Sequence, residues 1–243
     1  MAQEIIKLDS VNKYYEMGES IVRALDCVNI PIEKGDFVAI MGPSGSGKST
    51  MMNLVGALDL ATKGDIFLGG ENIEYLEESE LAQIRGRKIG FIFQQFNLIP
   101  NLTAKENVML PMLFQKEEKE AREERAVELL GLVGLDDRVN HYPNQLSGGQ
   151  QQRVAVARAL ANDPEVILAD EPTGNLDTKT GEKVMEFLTD LNKKGKTIVM
   201  VTHDVELARQ YARTLYILRD GVVESSEKKA SGKWKKFKVS PCK

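Results

Sequence analysis

The chain has 243 residues, 42% of them hydrophobic and 28% charged, which suits one large α/β domain or two small ones and leaves no run apolar enough to cross a bilayer. Its formal net charge is −4, yet residues 224–243 hold seven Lys and two Glu, so the rest of the chain is clearly acidic and no basic surface for duplex DNA is expected. Met1-Ala2-Gln3-Glu4 lacks the layout of a signal peptide, and Cys27 and Cys242 make no disulfide framework, so the expected compartment is the cytosol.

In chain order, Glu4 to Tyr15 and Ile21 to Ile32 read as β-strands joined by a turn at Met17-Gly18-Glu19-Ser20, an antiparallel subdomain. Tyr14 and Tyr15 close its first strand. One of them could lay its ring against a purine, or the two could be part of a cross-strand aromatic pair.

Phe37 to Met41 is an apolar run suited to a buried parallel strand, and Met51, Leu54, Val55 and Leu58 recur at helical spacing beyond it. Between them lies Gly42-Pro43-Ser44-Gly45-Ser46-Gly47-Lys48-Ser49-Thr50, the G-x-x-x-x-G-K-[ST] pattern in the strand-loop-helix setting it requires. Its glycines let successive N–H groups converge at the positive end of a helix, so the loop is a phosphate cradle. Lys48 would reach the β- and γ-phosphates and the Ser49 hydroxyl would ligate Mg²⁺.

Asp65 to Leu68 reads as a strand, Glu78 to Arg87 as a helix, and Ile89 to Phe93 as a buried strand running into Gln94 and Gln95. Ligands of open α/β sheets gather at the carboxyl ends of strands, which makes Gln94 or Gln95 a candidate Mg²⁺ or water ligand. From Phe96 to Asn144 the character is helical, and Lys116 to Arg125 reads as a solvated helix face. The cluster Phe96, Leu98, Ile99, Leu102, Leu110, Met112, Leu113 and Phe114 is more than a small insert readily buries, so some of it could stay exposed as a docking surface, although core packing is the better expectation for any one of these residues.

At Leu146-Ser147-Gly148-Gly149-Gln150, Ser147 is a natural N-cap and the glycines leave the following helix's N–H groups uncovered. This second anion-accepting terminus is either an ordinary capped helix or a group that caps a γ-phosphate held by another subunit. Val166 to Ala169 is an apolar strand ending in Asp170, suited to stand beside Mg²⁺, and Glu171, suited to orient or deprotonate an attacking water. Val184, Phe187, Leu188 and Leu191 mark a helix, Thr197 to Thr202 another buried strand, and His203 stands at that strand's carboxyl end. A helix over Val205 to Tyr211 and a strand over Leu215 to Leu218 follow.

Taken together and in this order, the phosphate loop, Gln94, Leu146 to Gln150, Val166 to Glu171, Gly174 to Asp177 and His203 resemble the ATP-binding cassette family over residues 4–224. The resemblance implies an α/β fold: a P-loop NTPase core with a mainly parallel sheet, an N-terminal antiparallel β subdomain, and a helical subdomain inserted at about 96–144. Residues 225–243 are expected to be a basic, disordered tail. The resemblance further implies that Tyr15 stacks on adenine, that Gln94 is the Q-loop residue, that Ser147 and Gly149 reach the partner's γ-phosphate, that Asp177 is the D-loop acid, and that His203 is the switch histidine. The stretch Phe93 to Pro100 with Leu102 to Val108 is similar to the lipoprotein-releasing and macrolide-exporting branch. The implied protein is an ATPase using ATP and Mg²⁺, a head-to-tail homodimer when ATP is bound. It would be held at the inner face of the cell membrane by a separate permease, with no nucleic-acid partner. The alternatives are the ATPase of a nutrient importer and a soluble non-transport ATPase of the same family.

Overall fold

The computed structural model describes residues 3–18 and 20–241. It divides into two compact units, one of residues 1–82 and 192–243, the other of residues 83–191.

The first unit holds two sheets. In one, the long strands β1 (Glu4–Met17) and β2 (Ser20–Glu33) pair antiparallel, with Tyr14 opposite Arg23 and Tyr15 opposite Val22. The antiparallel order continues through β4 (Lys63–Leu68) and β5 (Glu71–Asn72). Ser10 and Cys27 have positive φ where the β1–β2 register shifts, and Asn29 Oδ1 accepts the Ser10 N–H there at 2.7 Å. Cys242 lies outside the described residues.

In the other sheet, β3 (Phe37–Met41) is parallel to β8 (Thr197–Thr202) on one side and to β9 (Thr214–Arg219) on the other. Every residue of β3 and β8 is buried, the pattern of strands covered on both faces. The polar groups inside are paired. Asp36 accepts from Phe37 N at 2.8 Å and from Thr214 Oγ1 at 2.6 Å, and Thr197 Oγ1 accepts from Gly35 N at 2.9 Å.

The basic tail differs from its expected disorder. Strands β10 (Val222–Ala230) and β11 (Lys233–Phe237) extend the sheet antiparallel beyond β9. Phe237 meets Tyr216 edge-on at 5.9 Å between ring centroids, Ser226 Oγ donates to Phe237 O, and the guanidinium of Arg209 and the ammonium of Lys229 lie 5.4 and 5.8 Å from the Trp234 ring. Two aromatics anchor a ribbon whose lysines stay in water, so charge alone misjudges the segment.

In the second unit, β6 (Ile89–Ile92) follows α2 (Glu78–Lys88) and is parallel to β7 (Val166–Asp170). Helices α3 (Ala104–Phe114), α4 (Lys119–Leu132) and α5 (Gly148–Ala159) pack together. The buried amide of Asn107 fixes the turn before α3, accepting from Ile99 N at 2.8 Å and donating to Leu102 O at 3.0 Å. Of the apolar cluster, Met112 is in the core, whereas Ile99, Leu113 and Phe114 are exposed, Phe114 by 77%.

Candidate active site

The phosphate loop leaves β3 and enters α1 (Lys48–Val55). Gly42 and Gly47 have φ of 156° and 98°, and neither tolerates a side chain. A Cβ on Gly42 would run into Leu218 O and Ser46 Oγ, and one on Gly47 would lie 2.5 Å from Ala24 O. The backbone is therefore held close to its neighbours on one side, while Pro43, Ser44 and Gly45 face solvent on the other. Helix α1 has no side-chain cap and no acid in its first turn, so nothing in its own sequence neutralises the positive end of its dipole. Ser46 Oγ is buried without a hydrogen-bond partner. Lys48 Nζ donates to Gly42 O and Pro43 O, both at 2.8 Å, folding its ammonium back over the loop. A cradle of N–H groups, a lysine arched above it and an exposed Ser49 hydroxyl fit a polyphosphate.

Tyr15 belongs to this unit and stands beside the same helix. Its hydroxyl donates to Asp59 Oδ2 at 2.9 Å, while Lys13 Nζ lies 5.1 Å from the ring centroid. Burial, with Asp59 beside it, holds the phenol above its ordinary pKa. Burial disfavours the Asp59 carboxylate, but the hydrogen bonds from Lys13 and Tyr15 outweigh it and keep that group below the usual range. Tyr14 and Tyr15 form no aromatic pair; Arg23 lies over the Tyr14 ring instead.

Thr202 pairs with Met41 in the parallel register, so His203, the next residue, is level with the first glycine of the cradle. Its side chain is exposed, and Asp204 behind it caps helix α7 (Val205–Tyr211).

In the second unit, Ile92 pairs with Ala169, which brings Gln94 and the pair Asp170 and Glu171 to the same end of neighbouring strands. Glu171 adopts φ of 43°, left-handed for a non-glycine residue, and its carbonyl accepts from Gly174 N at 3.0 Å. Gln94 is exposed, with its side-chain amide against Gly174 and its carbonyl accepting from Asn175 Nδ2 at 2.9 Å. Gln95 faces solvent too.

Ser147 caps α5 in a reciprocal box with Gln150: Ser147 Oγ accepts from Gln150 N at 3.3 Å and Gln150 Oε1 accepts from Ser147 N at 2.8 Å. The amides of Gly148 and Gly149 lie within that first turn. A Cβ on Gly149 would collide with the Thr180 methyl, and Thr180 is bonded to Asp177, which accepts from its N–H and its hydroxyl. Those bonds hold the Asp177 carboxyl below its ordinary range. Asp177 is therefore the cap of α6 (Thr178–Lys193) as well as the acid of its loop.

Two residues that the sequence did not single out complete this unit. Gln152 is buried, with Nε2 donating to Pro172 O at 2.8 Å and Oε1 unpaired. Arg158 donates to the carbonyls of Phe96 and Asn97, fixing the turn after Gln94, and burial pushes its guanidinium pKa down.

The model of the ABC transporter family matches residues 25–174, more than half of the chain. The chain belongs to the ABC transporter family. It is 57% identical over 229 residues to the uncharacterised ABC transporter ATP-binding protein MJ0796 of Methanocaldococcus jannaschii, covering 92% of this chain and 97% of that one. It is also 48% identical over 224 residues to a macrolide export ATP-binding/permease protein, MacB, of Bdellovibrio bacteriovorus, of which it spans 34%. Among solved structures, a dimeric post-hydrolysis state of the MJ0796 cassette bound to ADP and Pi matches with a TM-score of 0.85 at 54% identity, over 92% of this chain and 98% of that one. CbiO1 of Clostridium perfringens, part of a cbiONQ transporter complex, matches with a TM-score of 0.81 at 27% identity, over 92% and 88%. The ABC ATPase fold expected from the motifs is the fold found. No helix among the described residues is long and apolar enough to cross a membrane.

Proposed function

We propose that this chain binds and hydrolyses ATP and so drives a separate membrane permease, in an export system of the lipoprotein, macrolide or peptide type. The observation that carries this reading is the phosphate loop, in which Gly42 and Gly47 admit no side chain and which opens onto a helix terminus with no cap or acid of its own.

In this reading Gly42 to Thr50 hold the phosphates, Lys48 swings from its two carbonyls to the β- and γ-oxygens, and Tyr15 offers its ring to the adenine. Glu171 orients or deprotonates the attacking water, with His203 hydrogen-bonding the γ-phosphate or that water. Ser49, Asp170 and Gln94 would hold Mg²⁺, which would supply positive charge to neutralise the phosphates. One carboxylate and two neutral oxygens suit a cation that takes its remaining ligands from phosphate and water. Ser147 to Gln150 meet the γ-phosphate of a second copy, so two chains close head to tail on two nucleotides. Hydrolysis adds charge repulsion across that closure and opens it, which makes the chemical step a clamp.

The dimeric relative bound to ADP and Pi supports the hydrolytic and dimeric parts of this reading. The macrolide-export relatives support the export direction, and the cbiONQ relative, part of a transporter complex, supports assembly with further chains, beside which this protein would sit on the inner membrane face. The test is phosphate release from Mg-ATP by the purified chain and by Lys48→Ala. Hydrolysis in the parent with nucleotide binding lost in the variant is the expected result; equal ATP affinity by calorimetry would overturn it.

A further inference from the structure

The unit of residues 83–191 contains a cavity of about 580 Å³ that none of the motif residues lines. Its walls carry Arg87 from the end of α2, Arg122 and Arg125 one helical turn apart on α4, and Gln115, Glu117 and Asn162. The Lys116 to Arg125 run resembles a solvated helix face, but Arg122 does not behave as one. Its Nε is buried without a hydrogen-bond partner, and its guanidinium makes no ion pair among the described residues. Arginine does not discharge by losing a proton, so a buried N–H of this kind calls for an acceptor.

The surrounding groups leave room for one. Arg125 Nη1 is bonded to Glu128 at 2.7 Å, a pairing on the outer side of α4 where Glu128 is 57% exposed. Arg87 commits its Nε to Gln115 Oε1 at 3.0 Å, and the Gln115 amide is seated against Gly86. Asn162 Nδ2 donates to Gly86 O at 2.7 Å and Pro111 O at 3.2 Å, which fixes the wall opposite. Glu117 is the one carboxylate in the lining, against three guanidiniums. We propose that this cavity binds a compact, multiply charged oxyanion of the phosphate or small polycarboxylate class, with Arg122 as its central donor. A guanidinium fork presents paired N–H groups at the spacing such oxygens accept.

The site stands apart from the ATPase reading, and its test avoids the phosphate loop. In ¹H–¹⁵N spectra the Arg122 Nε–H cross-peak, assigned by its loss in Arg122→Lys, is followed during separate titrations with pyrophosphate and citrate. Ala121→Glu is the second variant. Ala121 is an exposed cavity-lining position on α4, and a carboxylate there would neutralise the arginines without disturbing the core. A saturable shift of the Arg122 peak with either anion, weakened at least about tenfold in Ala121→Glu while ATP hydrolysis is unchanged, is the expected outcome; the tighter anion then tells phosphate from carboxylate. A peak that stays put at millimolar concentrations of both, or that moves equally in Ala121→Glu, overturns the proposal.

Discussion

Gln152, in the middle of the helix that begins at Ser147, reaches 2.8 Å to the carbonyl of Pro172, the residue that follows Glu171. The backbone of Glu171 is left-handed, a conformation that persists only where its surroundings hold it. The Gln152 bond is one of the holds, and Gly174 N to Glu171 O is another. Gln152→Leu keeps the volume and removes the donor, so Pro172 O is left without that bond. The expected cost is about 1–3 kcal/mol in urea denaturation, with a fall in kcat larger than any change in KM. Wild-type kcat in this variant would remove Gln152 from this role.

Glu171→Gln retains side-chain size and loses basicity. Hydrolysis should fall by about 10²–10⁴ while ATP still binds, and the loss of negative charge near each γ-phosphate should let the dimer accumulate. Ser147→Arg added to it should oppose the dimer by bulk. Ser147→Ala loses the same cap, worth about 1 kcal/mol, without the bulk, and serves as the control. Size-exclusion chromatography with light scattering, with and without ATP, reads the result. A Glu171→Gln protein that remains monomeric at saturating ATP would sink the shared-nucleotide scheme.

Gly149 faces the Thr180 methyl too closely for any side chain. Gly149→Ala should destabilise by about 1–3 kcal/mol through overpacking. Thr180→Ser removes that methyl and keeps the hydroxyl on Asp177, so the double variant should recover most of the lost Tm. Failure of the second substitution to restore anything would show that the glycine serves backbone freedom or the nucleotide instead.

The tail offers a test of β11. Phe237→Ala removes an edge-on contact with Tyr216 worth about 0.5–1.5 kcal/mol beyond its buried area, and amide exchange along residues 226–237 should accelerate in step. A tail that exchanges at random-coil rates in the parent protein would restore the disordered reading.

Phe114, exposed by 77%, and Leu113 beside it lie in the apolar cluster expected to form a docking surface, and a permease is the partner that the transport reading supplies for it. Phe114→Glu should leave phosphate release by the free chain unchanged and abolish its stimulation by the permease in liposomes. Unfolding of this variant, seen by circular dichroism, would instead place Phe114 in the core.

The chain's own sequence determined the phosphate loop, the strand-end placement of Gln94, Asp170, Glu171 and His203, and the cap at Ser147. Each is local: glycine spacing, a run of buried apolar residues and one hydroxyl before a helix fix the backbone within a few residues. Helix α1 shows the margin of such reasoning, since it ends at Val55 with Gly56 as its cap, and Leu58, in phase with the helix, is 46% exposed. Tertiary structure alone decided which of Gln150, Gln151 and Gln152 turns inward, because that depends on Pro172, twenty residues away. It also placed Arg158 on the turn after Gln94, drew Arg122 from an apparent solvent face into a cavity wall, and brought Trp234 and Phe237 back onto Arg209 and Tyr216. The physical reason is common to all of them. A polar or charged side chain carries no local signal of whether its partner will be water or a distant backbone group, and only the packed chain supplies that partner.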